Sequence, residues 1–191
     1  MRKCDMTRRF GWAVVLFGLF LTLFPTGLRA QSAYESKTGH AEFTSSMPGF
    51  TFTGKSDHLV GKITLPDSTV DFYLDLTTVD TGIGMRNRDM RETLDTKKYP
   101  FASFYGKLIS PFDITQKETQ PATVSGNFKV HGVSRQVTIQ GKLTPTGQGV
   151  RVEASWTLML KDYNIKPPSI LFYKVDQEQK IHIKTLLTPI Q

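Results

Sequence analysis

Val150-Arg151-Val152-Glu153-Ala154-Ser155-Trp156-Thr157-Leu158 alternates apolar and polar residues without interruption. A side-chain period of two is that of an extended strand with one dry and one wet face. Val70, Phe72, Leu74 and Leu76 repeat it against Asp71, Tyr73, Asp75 and Thr77. The pattern also runs, less cleanly, through Leu59, Gly61, Ile63 and Leu65, through Phe104 and Leu108, and through Phe128 and Val130. It returns in Val137, Ile139, Gly141 and Leu143, and in Ile181 and Ile183. With a first strand around residues 41–45 the chain holds about eight strands, parted by turn residues such as Pro66-Asp67-Ser68, Pro111-Phe112-Asp113, His131-Gly132 and Thr146-Gly147-Gln148-Gly149.

Two stretches break the alternation. Residues 86–97 are good helix formers with Met90 and Leu94 at i, i+4, and predict a short helix crossing the outside or the end of a sheet. Residues 162–171 contain Pro167-Pro168 and predict an irregular segment before the last strand. Strands joined mostly by short turns describe an all-β, single antiparallel meander. Eight such strands hide their edges by closing into a barrel. At that size the interior is either packed with side chains or holds one small ligand. The inward set places Gly61, Ala102, Gly106, Gly126, Gly141 and Ala154 beside Phe72, Phe104, Phe128 and Trp156. Small residues facing large ones can leave a lumen, and glycine also serves barrel taper and strand bends, so pattern alone leaves both interiors open.

The chain has 191 residues, with 24 Lys and Arg against 17 Asp and Glu and a formal charge of +7. That length suits one domain, and 39% hydrophobic with 21% charged residues excludes a disordered or collagen-like chain. Much of the basic excess sits at the start. Arg2, Lys3, Arg8 and Arg9 precede an uncharged run from Phe10 to Phe24, then Pro25, Gly27 and Leu28-Arg29-Ala30. This is the layout of a secretory signal, too short to span a bilayer as a retained anchor, and cleavage is expected near Ala30. Residues 1–30 then form the signal and 31–191 the domain. Loss of Arg2, Lys3, Arg8, Arg9, Arg29 and Asp5 leaves 19 basic and 16 acidic residues, a net +3. Cys4 departs with the signal, so the mature chain has no thiol, disulfide or Cys metal site. Gln31 and Ser32, rather than a Cys, follow the cut, which predicts an exported protein, periplasmic or secreted, without a lipid anchor.

Catalytic signatures are weak. His40, His58, His131 and His182 show no HExxH or paired spacing, and strand parity puts them on polar faces or in turns, so no metal ligand is assigned. There is no G-x-S-x-G and no phosphate-cradling glycine loop between strand and helix. Asp80, Asp89, Glu92 and Asp95 are interleaved with Arg86, Arg88, Arg91, Lys97 and Lys98, a pattern of surface ion pairs and helix caps. A net +3 on an exported chain argues against nucleic acid as a partner. No catalytic residue is expected.

The interrupting segments carry a resemblance. Asp80-Thr81-Gly82, Met85-Arg86-Asn87-Arg88-Asp89-Met90-Arg91 and Lys98-Tyr99-Pro100-Phe101-Ala102-Ser103-Phe104 resemble the central signature of the YceI-like family. Val124-Ser125-Gly126-Asn127-Phe128-Lys129-Val130-His131-Gly132-Val133-Ser134-Arg135-Gln136-Val137 is similar to that family's H-G-V hairpin. The order holds over about residues 34–187. The chain departs from the pattern at Lys161-Asp162-Tyr163-Asn164-Ile165, where many members read S-D-F-G-I, and in the polar opening Thr53-Gly54-Lys55-Ser56-Asp57-His58. The resemblance implies a lipocalin-like barrel exported to the periplasm or beyond, with an apolar tunnel for an isoprenoid, a quinone or a fatty-acid-like lipid. It implies no catalytic residues.

The expected mechanism is therefore sequestration of an amphiphilic lipid. The expected lining is Leu59, Ile63, Phe72, Leu74, Leu76, Phe104, Leu108, Phe128, Val130, Val137, Ile139, Val152, Trp156 and Leu158, with plain core packing as the competing account for each. Arg86, Arg88 and Arg91 are the candidate head-group contacts, against a role in pairing with Asp80 and Asp89 to fix the helix on the barrel end. Two other classes remain. An accessory barrel for a membrane redox or transport protein would have a filled core and an exposed apolar patch. An exported metal-dependent hydrolase would bring at least two of His40, His58 and His131 together with an acid.

Overall fold

The structure is a computed structural model, and it describes residues 33–170 and 173–190. The expected export signal over residues 1–30, with Cys4, lies outside the described residues.

Alternating residues from Gly149 to Met159 form β7, and the same periodicity builds β3 (Thr69–Asp75), β4 (Phe101–Leu108), β5 (Gln120–Val130) and β6 (Val133–Thr146). Two strands of 15 residues precede them, β1 (Ala33–Met47) and β2 (Phe50–Thr64), and β10 (Glu178–Pro189) ends the meander. These eight pair antiparallel and close in the order β1-β10-β7-β6-β5-β4-β3-β2. Closure follows from β1 pairing β10, with Ala41 opposite Ile183 and Ser45 opposite Gln179. Each barrel strand has a hydrogen-bonded neighbour on both sides, the physical reason for closing.

The turns follow local chemistry. Val130 pairs with Val133 across a two-residue loop in which His131 (φ 53°) and Gly132 (φ 75°) are both left-handed, as a mirror-image hairpin turn requires. A side chain at Gly132 would strike the ring of Tyr99, 2.5 Å from the position of its Cβ.

β1 and β2 run well beyond the expected 41–45 and 59–65, and Thr53–His58, read above as a polar opening, is strand. Sequence periodicity missed this because the register shifts between Ser36 and Gly39 and again between Gly39 and Ala41. Ser56 and Leu59 are both buried while Asp57 and His58 between them are exposed, so an extra residue carries the inward face from even to odd positions. The helix α1 (Gly84–Thr93) starts two residues before the expected span and ends four short of it. Residues 162–168 are irregular as expected, with added detail: a 3₁₀ turn at Leu160–Tyr163 and left-handed Asn164, followed by the antiparallel pair β8 (Ser169–Ile170) and β9 (Tyr173–Lys174).

The inward faces form one core that includes Leu59, Ile63, Val70, Phe72, Phe104, Leu108, Ile139, Leu143 and Val152, with Leu187 wholly buried. The glycines explain half of the interior. Gly106 faces Gly126 across β4 and β5, and a Cβ on Gly126 would lie 2.4 Å from Tyr105 O. At Gly61 the space of the missing side chain is filled by the Phe72 ring. These positions serve close approach and packing, and the open space lies elsewhere.

Candidate ligand-binding cavity

One end of the barrel gathers the turn between β1 and β2, the segment 76–100 with α1, the His131-Gly132 hairpin and residues 160–170 and 173–177. Beneath them lies a cavity of about 640 Å³. A second, of about 60 Å³, lies toward the opposite end. Phe72, Phe104, Trp156 and Ile183 line both and form the waist between them.

Nine of the fourteen expected lining residues meet the large cavity: Leu59, Phe72, Leu74, Leu76, Phe104, Phe128, Val130, Trp156 and Leu158. Ile63, Leu108, Ile139 and Val152 line only the small one. Val137 lines neither; it packs half-buried against the core. The division follows height along the strands, since parity places all of these inward but cannot assign a level. Phe128 is fixed edge-on against Trp156 at 5.8 Å and Tyr163 at 5.7 Å. Burial pushes the Tyr163 phenol up from its ordinary value.

The mouth lies beside α1. Met90 of the helix and Leu94 just after it line the cavity, while Ile83 and Met85 line it and are 50% and 67% exposed, so the space reaches the surface there. Four further lining residues were not anticipated: Phe43 and Phe52 from the bulged strands, and Pro168 and Val175 from the segment covering the end. The Phe43 and Phe52 rings meet edge-on at 6.2 Å. Their alternation was present in the sequence but concealed by the bulges.

Of the three arginines, only Arg86 lines the cavity. Its guanidinium lies 4.6 Å from the Phe52 ring centre and 5.5 Å from that of Phe50, a cation–π clamp at the rim. Arg88 reaches Asp89 at 3.4 Å and Glu92 at 3.9 Å along the helix surface. Arg91 donates to Thr77 O at 3.2 Å and thereby ties the helix to the 3₁₀ turn that follows β3. The expected arginine pairing with Asp80 is replaced by an amide: Asn87 Nδ2 donates to Asp80 Oδ1 at 2.6 Å, and Asn87 Oδ1 accepts from Thr81 N at 2.7 Å and Thr81 Oγ1 at 2.6 Å. The amide bond, then the Gly82 N–H, hold the Asp80 carboxyl below its ordinary range. The D-T-G turn and the helix are thus one hydrogen-bonded unit beside the mouth.

The histidines are dispersed. His40 Nδ1 bonds Asp57 Oδ1 at 2.5 Å with Glu42 at 3.6 Å from Nε2, His131 Nδ1 meets Tyr163 O at 3.1 Å, and His182 Nδ1 meets Ser155 Oγ at 2.9 Å. Among the described residues no group of three His, Cys, Asp or Glu side chains is arranged to hold a metal ion.

Comparison with known proteins agrees with this architecture. The YceI-like domain pattern matches residues 32–187. A UPF0312 protein of Yersinia enterocolitica is 33% identical over 104 residues, 50% of this chain and 51% of its own length. Protein YceI of Escherichia coli O157:H7 is 31% identical over 105 residues, 51% of this chain and 52% of its own. The chain thus spans about half the length of these curated relatives in its matches. Among solved structures, a polyisoprenoid binding domain from Saccharophagus degradans superposes with a TM-score of 0.70 at 19% identity, over 84% of this chain and 99% of that one. Since the family pattern covers nearly all of the barrel, with its D-T-G turn, helix and H-G-V hairpin in order, this chain belongs to the YceI family.

Proposed function

We propose that this protein sequesters or carries an isoprenoid or other long-chain amphiphile, its tail inside the barrel, and that it does so outside the cytoplasm after cleavage near Ala30. The observation that carries the reading is the large cavity, about 640 Å³, walled mainly by aliphatic and aromatic side chains and open beside α1. That volume is in the range of small-ligand sites, roughly 300–1,000 Å³. Each methylene moved from water into it contributes about 0.8 kcal/mol. The related domain from Saccharophagus degradans binds polyisoprenoid, which supports the same class of cargo here. The basic start and apolar run of residues 1–30 support export. An accessory barrel with a filled core fits less well, because the core is not filled. The function is sequestration, with no bond made or broken.

The test is mass spectrometry of organic extracts from protein purified without detergent from its native compartment. A stoichiometric prenyl or acyl species is the expected result. A clean extract, again clean after incubation with native membrane lipids, would overturn the reading in favour of an interaction barrel.

A further inference from the structure

Within the apolar cavity two polar side chains lack their full complement of partners. Ser45, 1% exposed on the inward face of β1, lines the cavity, and its Oγ has no hydrogen-bond partner. Its Cα partner on β10 is Gln179, 6% exposed and lining the same cavity. Gln179 Nε2 donates to Asp176 O at 2.8 Å, which fixes the amide so that Oε1 is the free acceptor; it takes no bond from the described residues. Directly opposed residues of an antiparallel pair share a face, their Cβ atoms about 4.5–5.5 Å apart. A hydroxyl and an amide oxygen therefore stand side by side, and buried polar groups left this way call for an explanation. Thr185 Oγ1 is also unpartnered but lines neither cavity.

We propose that Ser45 and Gln179 form a polar station that recognises an uncharged hydroxyl group on the bound amphiphile, an alcohol or a phenol. The inference rests on the carrier reading above and names the cargo's functional group. One ligand O–H satisfies both residues: its hydrogen goes to Gln179 Oε1 and its oxygen accepts the Ser45 hydroxyl. An ether can only accept, and a hydrocarbon does neither. A phosphate or carboxylate would face the Gln179 oxygen, and neither Ser45 nor Gln179 brings a positive charge to hold it. Among the described residues that line the cavity Arg86 is the only basic one, and its guanidinium lies at the rim over Phe52 and Phe50. The station's place fits an amphiphile. Ser45 pairs with Phe52 on its other side, Pro168 and Val175 line the same space, and Asp176 N donates to Ser46 O at 2.8 Å, binding the covering segment to β1. The hydroxyl end would thus sit near the covered rim while the tail runs down to Phe72, Phe104 and Trp156.

The experiment is displacement of the neutral fluorophore N-phenyl-1-naphthylamine from the protein by dodecanol and by dodecyl methyl ether. The alcohol should displace at roughly fivefold lower concentration than the ether, the effect of one or two net hydrogen bonds. Gln179→Met should bring the alcohol to within about twofold of an unchanged ether curve, while Ser45→Ala, which removes a donor that either oxygen accepts, should weaken alcohol and ether alike by roughly fivefold. Ser45→Ala removes a hydroxyl that has no partner, so a thermal melt no lower than the parent's separates lost recognition from misfolding. Equal displacement by alcohol and ether in the parent protein would overturn the station and leave the carrier reading standing. Failure of the fluorophore and of both chains to bind would overturn both.

Discussion

Two glycine substitutions should separate a wall that can yield from one that cannot. A Cβ at Gly61 would lie 2.1 Å from Phe72 Cε1, where ordinary contact begins at 3.4 Å, so the ring must move by at least about 1.3 Å. It has somewhere to go, because Phe72 borders both cavities. A Cβ at Gly126 would meet Tyr105 O at 2.4 Å and Gly106 Cα at 2.5 Å, both backbone atoms of the hydrogen-bonded neighbour. Relief there requires the strands to part. Overpacking costs about 1–3 kcal/mol, and Gly61→Ala should fall at the low end, about 1 kcal/mol. Gly126→Ala should reach about 3 kcal/mol, since ladder bonds worth about 1 kcal/mol each are strained as well. With a urea slope of about 2 kcal/mol/M, the two midpoints should differ by about 1 M. Urea unfolding followed by Trp156 fluorescence measures this. Gly61→Ala should also bind less of an apolar probe, because the displaced ring occupies the cavity. A Gly126→Ala protein as stable as its parent, or less perturbed than Gly61→Ala, would refute the reasoning.

Phe72→Asp places a carboxylate in the wall shared by both cavities and should abolish retention of a bound lipid in extracts; undiminished retention by the folded variant would remove Phe72 from the binding surface. Asn87→Ala deletes the two bonds that hold Thr81 and should cost about 1–2 kcal/mol, visible as faster amide exchange in α1 with the β6–β7 turn at the opposite end of the barrel unchanged. Asp80 has a folded-state value below its unfolded one, so its stabilisation is complete above the ordinary aspartate range and is lost as pH falls through the folded value. Exchange in α1 should therefore rise in acid, below about pH 4, before the barrel melts, and Asn87→Ala should blunt that rise.

Much of the architecture is legible in the chain because a strand with one dry face writes its period directly into the sequence. β3 and β7 announce themselves this way, and His131-Gly132 marks its hairpin because only a few residues tolerate left-handed backbone. The order of the D-T-G turn, the arginine-rich helix and the hairpin identifies the family. The full lengths of β1 and β2 were hidden because a bulge reverses the parity that a reader counts, and with them the place of Phe43 and Phe52 on the cavity wall; the Ser45–Gln179 pair joins residues 134 positions apart.

The residues by themselves determined that this chain makes an antiparallel barrel with apolar side chains inward, since period and turn chemistry are local properties. Whether that interior is full or open was decided only by the tertiary structure. Phe72 fills the place of Gly61, while Gly106 and Gly126 close on each other, so the small residues that suggested a lumen pack one half of the barrel. The other half stays open because α1 and the proline-containing segment cover its end without filling it. The arginines show the same division: their spacing put three on one short helix, and only packing turned Arg86 to the mouth, Arg91 to Thr77 and Arg88 to the carboxylates of its own helix. Height along a strand, direction around a helix and the fit of side chains across a closed sheet depend on pairings between distant residues, which no local pattern records.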